Sequence, residues 1–190
     1  LDSDTIDELA ASFELEMQPF LVGGSALLGS LISGNKKGIA VADIATESDL
    51  EALTSFGEVV VMESGVNAAG NLVACNDHGA IVSPVIPGPG CQMIADVLGV
   101  DAIRSKVAGQ ETVGSLMVAN NKGILTHPDI TGDEVERIEA AMRVPVMVGT
   151  VCFGSPYVGA GCAASDSYVL VGSGSTGPEL NRIEDALGLI

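Results

Sequence analysis

Tryptophan is absent from this chain and aromatic residues make up only 3% of it, so its core must be built from Val, Ile, Leu and Ala. Basic residues are nearly as scarce: eight Lys and Arg stand against 25 Asp and Glu, a formal net charge of −17. Such a chain repels nucleic acid at low salt, because binding to bare phosphates draws on clustered Lys and Arg. The one basic pair, Lys36 and Lys37, falls in a turn and reads as solvated. No apolar run approaches a membrane span, so no membrane partner is expected. Residues 88–90 read Gly-Pro-Gly without the Gly-Lys-Ser/Thr that completes a phosphate-cradling loop. Cys75, Cys91, Cys152 and Cys162 are separated by 16, 61 and 10 residues and fit no CxxC pair. Neither metal nor cofactor is expected, and the cysteines read as buried free thiols of a reducing, cytoplasmic compartment.

What the chain does have is repetition. LGSLISGN at Leu28, AGNLVACN at Ala69, VGSLMVAN at Val113 and VGAGCAAS at Val158 are variants of one segment. Their glycines Gly29, Gly70, Gly114 and Gly159 lie 41, 44 and 45 residues apart, a period suited to one supersecondary unit. Asn35, Asn76 and Asn120 are followed three residues later by Gly38, Gly79 and Gly123. An Asn opening a type I turn bonds its own backbone, and the glycine is expected to take the left-handed conformation that closes a hairpin.

A helix is predicted after each hairpin. Thr131 with Glu134 and Thr176 with Glu179 match the capping box, Pro178 suits a first turn, and Thr46 with Asp49 is a shorter version. Apolar residues then recur at three and four: Ile6, Leu9 and Phe13; Leu50 and Leu53; Ile94, Val97 and Leu98; Val135, Ile138 and Met142; Leu180, Ile183 and Leu187. The β-rich runs 58–62 and 144–148 lead on to the next hairpin. One unit cannot bury its own apolar face, so a closed ring is expected, with sheets inside and helices outside. It forms one domain over residues 1–190, with a partial repeat at 1–19 and repeats at about 20–57, 58–100, 101–144 and 145–190. The helix near Ser3 has no hairpin before it, so a front segment is expected to be missing through processing, a mis-start or truncation.

Two readings account for the acidity and are compatible: a cytosol of molar salt, where the Debye length falls to about 3 Å and self-repulsion vanishes, and a basic protein partner. Catalysis has thin support. Cys75 with His78 and Cys152 with His127 are the pairs available for a thiolate and its base, but His78 lies in a turn and His127 precedes Pro128 at a strand end.

NNKGILTHPD at residues 120–129, GSPYVGAG at 154–161, STGPEL at 175–180 and AGN..CND at 69–77 resemble, in order and in the right repeats, the archaeal branch of the translation initiation factor 6 family. The resemblance runs through the whole chain. It implies an α/β fold of the pentein type, five quasi-identical ββαβ units in a ring, with the first unit incomplete here. It also implies a non-enzymatic factor that binds the intersubunit face of the large ribosomal subunit and keeps the small subunit from docking. The partner is mainly a basic ribosomal protein of that face, with ribosomal RNA nearby, and the factor acts as a monomer.

Carried over by position, the residue after each anchoring glycine belongs to the ribosome-facing surface: Ser30, Asn71, Ser115 and Ala160, with Leu116 beside Ser115. Asn71 is the leading candidate, while Leu31 and Leu72 are expected in the core because strand alternation turns them away. The family often shows Asn and Arg before the GSP segment, where this chain has Cys152 and Phe153. An exposed Phe153 is expected to replace the Arg contact with an apolar one that tolerates salt. The alternative is a guanidino-modifying hydrolase or amidinotransferase of the same broad fold. Near-uniform repeat spacing and short turns leave it little material for a substrate pocket.

Overall fold

The computed structural model describes residues 3–14, 16–62, 65 and 68–190. Helix α1 (Ser3–Phe13) comes first, followed by four units of the same order. Unit 1 is α2 (Leu28–Leu31), β1 (Ile32–Gly34), β2 (Gly38–Val41), α3 (Glu47–Thr54) and β3 (Glu58–Val61); unit 2 is α4 (Ala69–Leu72), β4 (Val73–Cys75), β5 (Gly79–Val82), α5 (Gly88–Leu98) and β6 (Asp101–Arg104). Unit 3 is α6 (Val113–Leu116), β7 (Met117–Ala119), β8 (Ile124–Thr126), α7 (Gly132–Met142) and β9 (Val146–Val148); unit 4 is α8 (Val158–Gly161), β10 (Cys162–Ala164), β11 (Val169–Val171) and α9 (Gly177–Ala186).

In the first three units an antiparallel hairpin is extended by a third strand running parallel to its second, as in Ile32↔Val41 and Gly38↔Glu58. Parallel pairing needs a crossover, which the unit's long helix supplies. All three expected capping boxes form, including the one between Thr46 and Asp49. The repeated glycine segment differs from expectation. It is not a strand but a one-turn helix, α2, α4, α6 or α8, leading into the first strand.

Each long helix lies on the hairpin of the preceding unit: α5 on β2, α7 on β5 and α9 on β8. The core is therefore divided among the junctions. Ala40 and Val60 pack with Ile94 and Leu98. Ala74 and Ile81 pack with Ile138 and Met142, and Val118 and Leu125 with Val158 and Ile183. Burying one such side chain contributes roughly 1.5–3 kcal/mol, and here that gain exists only when two units meet.

Gly38, Gly79 and Gly123 do not take the left-handed conformation; the reason for glycine is the neighbouring helix. A Cβ on them would stand 2.4, 2.0 and 2.0 Å from the carbonyl oxygens of Val97, Ala141 and Ala186, near the ends of α5, α7 and α9. Beside them each turn Asn locks the same junction. Asn76 Oδ1 accepts from the N–H of His78 and of Gly79, while its Nδ2 donates to Asn120 O at 3.1 Å and to Met142 O at 3.0 Å. Asn35 and Asn120 repeat the pattern.

Unit 4 divides that work between two residues. Ser165 Oγ accepts from the N–H of Ser167 and of Tyr168, and Tyr168 Oη donates to Phe13 O at 3.0 Å. Phe13, the last residue of α1, thus receives the bond that Leu98, Met142 and Leu187 receive elsewhere, and its ring lies 4.5 Å from that of Tyr168. A side chain now stands where the other hairpins have glycine, so α1 seats on a tyrosine wedge rather than on bare backbone. With α1 over the last hairpin, and Lys36 of unit 1 at 3.9 Å from Asp166 of unit 4, the chain curls round one axis in the pentein arrangement.

Candidate functional site

Two poles terminate the axis. At one, the hairpin tips join hands: the N–H of Lys36, Asp77 and Asn121 donate to Asp77, Asn121 and Asp166 in turn, and Asn121 Nδ2 donates to both carboxylates. Lys36 is solvated as expected, 74% exposed, with its ammonium 3.0 Å from Asp77. Burial pushes the Asp77 carboxyl up, but Lys36 and Asn121 together hold it below the usual range; the Asn121 N–H and side-chain amide do the same for Asp166. Lys37 Nζ donates to Gly99 O at 2.7 Å and Lys122 Nζ to Gly188 O at 3.1 Å, at the C-terminal ends of α5 and α9 in the next unit. The cations of this pole are largely spent on the ring itself.

Round the axis toward the other pole, α2, α4, α6 and α8 stand shoulder to shoulder. A Cβ on Gly70, Gly114 or Gly159 would come within 2.1, 2.1 and 2.0 Å of the carbonyl oxygens of Gly29, Gly70 and Gly114, which is why the period is punctuated by glycine. The next residue in each helix, Ser30, Asn71, Ser115 and Ala160, is half-buried or, for Ala160, exposed. The structure brings two of them together, Ser115 Oγ donating to Asn71 Oδ1 at 3.0 Å. Leu116 must be withdrawn from this surface. It is fully buried with Val113, Met117 and Ile138, as its counterpart Leu72 is buried in the previous unit, because consecutive residues of a helix point about 100° apart.

The acidity is unevenly distributed. Residues 17–35, 65–76, 112–121 and 144–165, the segments that lead into and form this annulus of short helices, contain no Asp, Glu, Lys or Arg. A chain of net charge −17 has kept one region free of charge. Leu21, Leu27, Tyr157 and Phe153 of these segments are exposed, Phe153 the most at 84%.

Phe153 owes its position to a loop that precedes α8. Equivalent loops are closed by the bridges Val22↔Ser25 and Val107↔Gln110, four residues each, whereas Val151↔Ser155 spans five. Each hangs from the capping-box acid of its own unit. Asp49 accepts from the Gly23 N–H and Glu134 from the Gly109 N–H, while Glu179 accepts from the N–H of Phe153, Gly154 and Thr176 and from the Thr150 and Thr176 hydroxyls. Led by the Thr176 and Gly154 N–H bonds, these donors lower the Glu179 carboxyl to about 2 from 4.5. A carboxyl lowered in the folded state stabilises above its unfolded pKa and loses that contribution as pH falls. Thermal unfolding of the parent should therefore drop as pH is taken from about 4.5 toward about 2, and E179Q should lie below the parent at neutral pH with a flatter slope across that window.

The cysteine expectations are partly overturned. All four are free, but only Cys91 is buried: Cys75 and Cys162 are half-buried and Cys152 is exposed, its Sγ lying over Gly161 and Gly172 with Ser175 Oγ at 4.0 Å. Gly161 stands where the other units have Leu31, Leu72 and Leu116, and Cys152 occupies part of the space so released. Cys75 contacts the Ser33 hydroxyl at 3.8 Å, and burial pushes its thiol up to about 11; burial raises Cys162 to about 12. Thiols raised in this way are poor nucleophiles. His127 is buried and accepts the Asp129 N–H on Nδ1, a turn role. A depression of about 530 Å³ at the tip pole is lined by Lys37, Asp77, His78 and Arg143, and one of about 280 Å³ beside α5 is lined by Cys91 with no histidine. Among the described residues no His, Cys, Asp or Glu cluster is arranged to hold a metal, and no helix is long and apolar enough to cross a membrane.

The sequence model of the eIF-6 family matches residues 1–186. Translation initiation factor 6 of Haloquadratum walsbyi is 40% identical over 192 residues, covering 100% of this chain and 85% of the relative. The factors of the same name from Methanoculleus marisnigri and Picrophilus torridus are 36% and 37% identical, over 96% and 93% of this chain and 83% and 81% of theirs. Among solved structures, the substrate-bound C264S N-terminal domain of ArgZ, an arginine dihydrolase from cyanobacteria, reaches a TM-score of 0.47 at 8% identity over 76% of this chain and 63% of that one, too slight a likeness to bear on function. The chain belongs to the eIF-6 family and takes its place among the translation initiation factors.

Proposed function

We propose that this factor binds the large ribosomal subunit at its intersubunit face and prevents the small subunit from joining, by occupying the space and without chemistry. The observation that carries the proposal is the charge-free annulus of Ser30, Asn71, Ser115 and Ala160, set in an otherwise strongly acidic molecule. The division of labour is physical. The acidic remainder steers the molecule toward a basic ribosomal protein beside the docking site and disfavours RNA, while the uncharged annulus makes the close contact without a desolvation cost for ions. Ribosomal RNA is then a neighbour rather than the main partner. The factor acts in the cytoplasm, as a monomer, with no metal or cofactor.

Co-sedimentation of the purified chain with separated subunits in molar KCl, followed by addition of the opposite subunit, tests this. The chain should travel with large subunits alone and block joining. Asn71→Ala removes the acceptor of the Ser115 hydroxyl at the centre of the annulus and should weaken large-subunit binding about 10-fold, with Ser115→Ala costing less. Binding to neither subunit, or joining unimpeded at saturation, would overturn the proposal.

A further inference from the structure

We infer that Phe153 is a preorganised apolar anchor that enters an uncharged pocket on a protein of the large subunit, so that this chain's affinity resides in a contact indifferent to salt. The inference rests on the function proposed above and adds which residue dominates and what it meets.

Four independent observations converge on Phe153. It lies in the five-residue loop at Val151↔Ser155, one residue longer than the described sibling loops of four. Its side chain is 84% exposed in a chain with only four Phe, two Tyr and no Trp. Cys152 and Phe153 hold φ of 50° and 65°, two consecutive non-glycine residues in the left-handed region, which costs stability unless the surroundings impose it. They do impose it: Glu179 accepts the N–H of Phe153 at 3.2 Å and of Gly154 at 2.8 Å, and Ser175 Oγ accepts the Cys152 N–H at 2.9 Å. A loop strained, lengthened and then tied down to display one aromatic ring loses little entropy when that ring is bound.

The surroundings select the occupant. Residues 144–165 carry no charge, and Arg182, on α9, spends its Nε on Val148 O at 2.8 Å and lies 4.0 Å from Asp185. Without a cation committed to phosphate, stacking on an RNA base would have to bring the −17 chain against the backbone unaided. An apolar pocket in a protein surface meets no such penalty, and its contact is not screened. Glu179 is a positioning residue here and touches no partner.

The test is equilibrium binding of the full chain to purified large subunits at low and at molar KCl. Phe153→Ala should weaken binding about 30-fold, by the same factor at both salts, with the melting temperature unchanged because the ring is exposed. Phe153→Leu should recover most of the affinity. Glu179→Gln should weaken binding through faster dissociation, and adding Phe153→Ala to it should cost less than Phe153→Ala costs alone. A photo-crosslinking benzoyl-phenylalanine at position 153 should label a ribosomal protein. If the parent binds and Phe153→Ala binds equally well, if its deficit shrinks as salt rises, or if the crosslink falls on RNA, the inference is wrong while the proposed function stands. If the parent itself does not bind large subunits, both fall.

Discussion

Gly79→Ala, the smallest substitution available, should cost about 4 kcal/mol or more, a large share of the 5–15 kcal/mol that holds a domain of this kind together. The added Cβ would lie 2.0 Å from Ala141 O and 2.7 Å from Ala141 C, and neither is the end of a flexible side chain. To restore contact distance, the C-terminal turn of α7 must retreat by about 1 Å, well beyond what a packed core absorbs without loss. That retreat strains Asn76 Nδ2→Met142 O and opens the contact of Ile81 with Ile138 and Met142. Gly88→Ala is the control: its φ is ordinary, a Cβ there meets nothing within 4 Å, and in the first turn of α5 alanine should be neutral to stabilising by up to about 1 kcal/mol. Urea unfolding of the pair checks this, and equal midpoints for the two variants would mean that units 2 and 3 are not locked by backbone contact.

Asn76→Ala should be comparably damaging, at about 3–5 kcal/mol, for a different reason. Removing the amide leaves the N–H of His78 and Gly79 and the carbonyls of Asn120 and Met142 without their partner, in a site where Asn76 is 4% exposed. Buried groups left unpaired cost about 1–3 kcal/mol each where water cannot reach them. Asn76→Ser should recover the part that caps the turn, since Ser165 does that in unit 4, but not the two lateral bonds, which a serine cannot span. An ordering of parent, Ser, Ala in chemical denaturation is expected. Equal losses for Ser and Ala would assign the whole effect to the lateral bonds.

The place of the annulus in the fold was legible as spacing. The glycines Gly29, Gly70, Gly114 and Gly159 marked the annulus, and the residue after each does stand on it. Leu116 is buried like its counterpart Leu72, so adjacency to Ser115 does not bring a residue to the surface in a one-turn helix any more than in a strand. The role of Glu179 in the loop was not legible at all. A capping box explains that residue completely at the level of sequence, and its bonds to Phe153 and Gly154 cross 26 and 25 residues. The extra residue of the 151–155 loop could have been found, since the spacing of 45 exceeds its neighbours, but the sequence does not say where in the unit the surplus falls.

The sequence by itself determined the period, the capping boxes, the apolar stripes and the freedom of four segments from charge, because each is a local pattern of residue types. Only the tertiary structure decided why Gly38, Gly79 and Gly123 are glycine, since the cause is a carbonyl supplied by the next unit. It alone showed Tyr168 standing in for both a glycine and an asparagine so that α1 can follow unit 4 round the axis. The charge-free segments also became a surface only when short helices from four units were packed side by side. A repeat records in its own residues what it needs for its turn and its helix; what it needs from its neighbour depends on distances that form only when the ring closes.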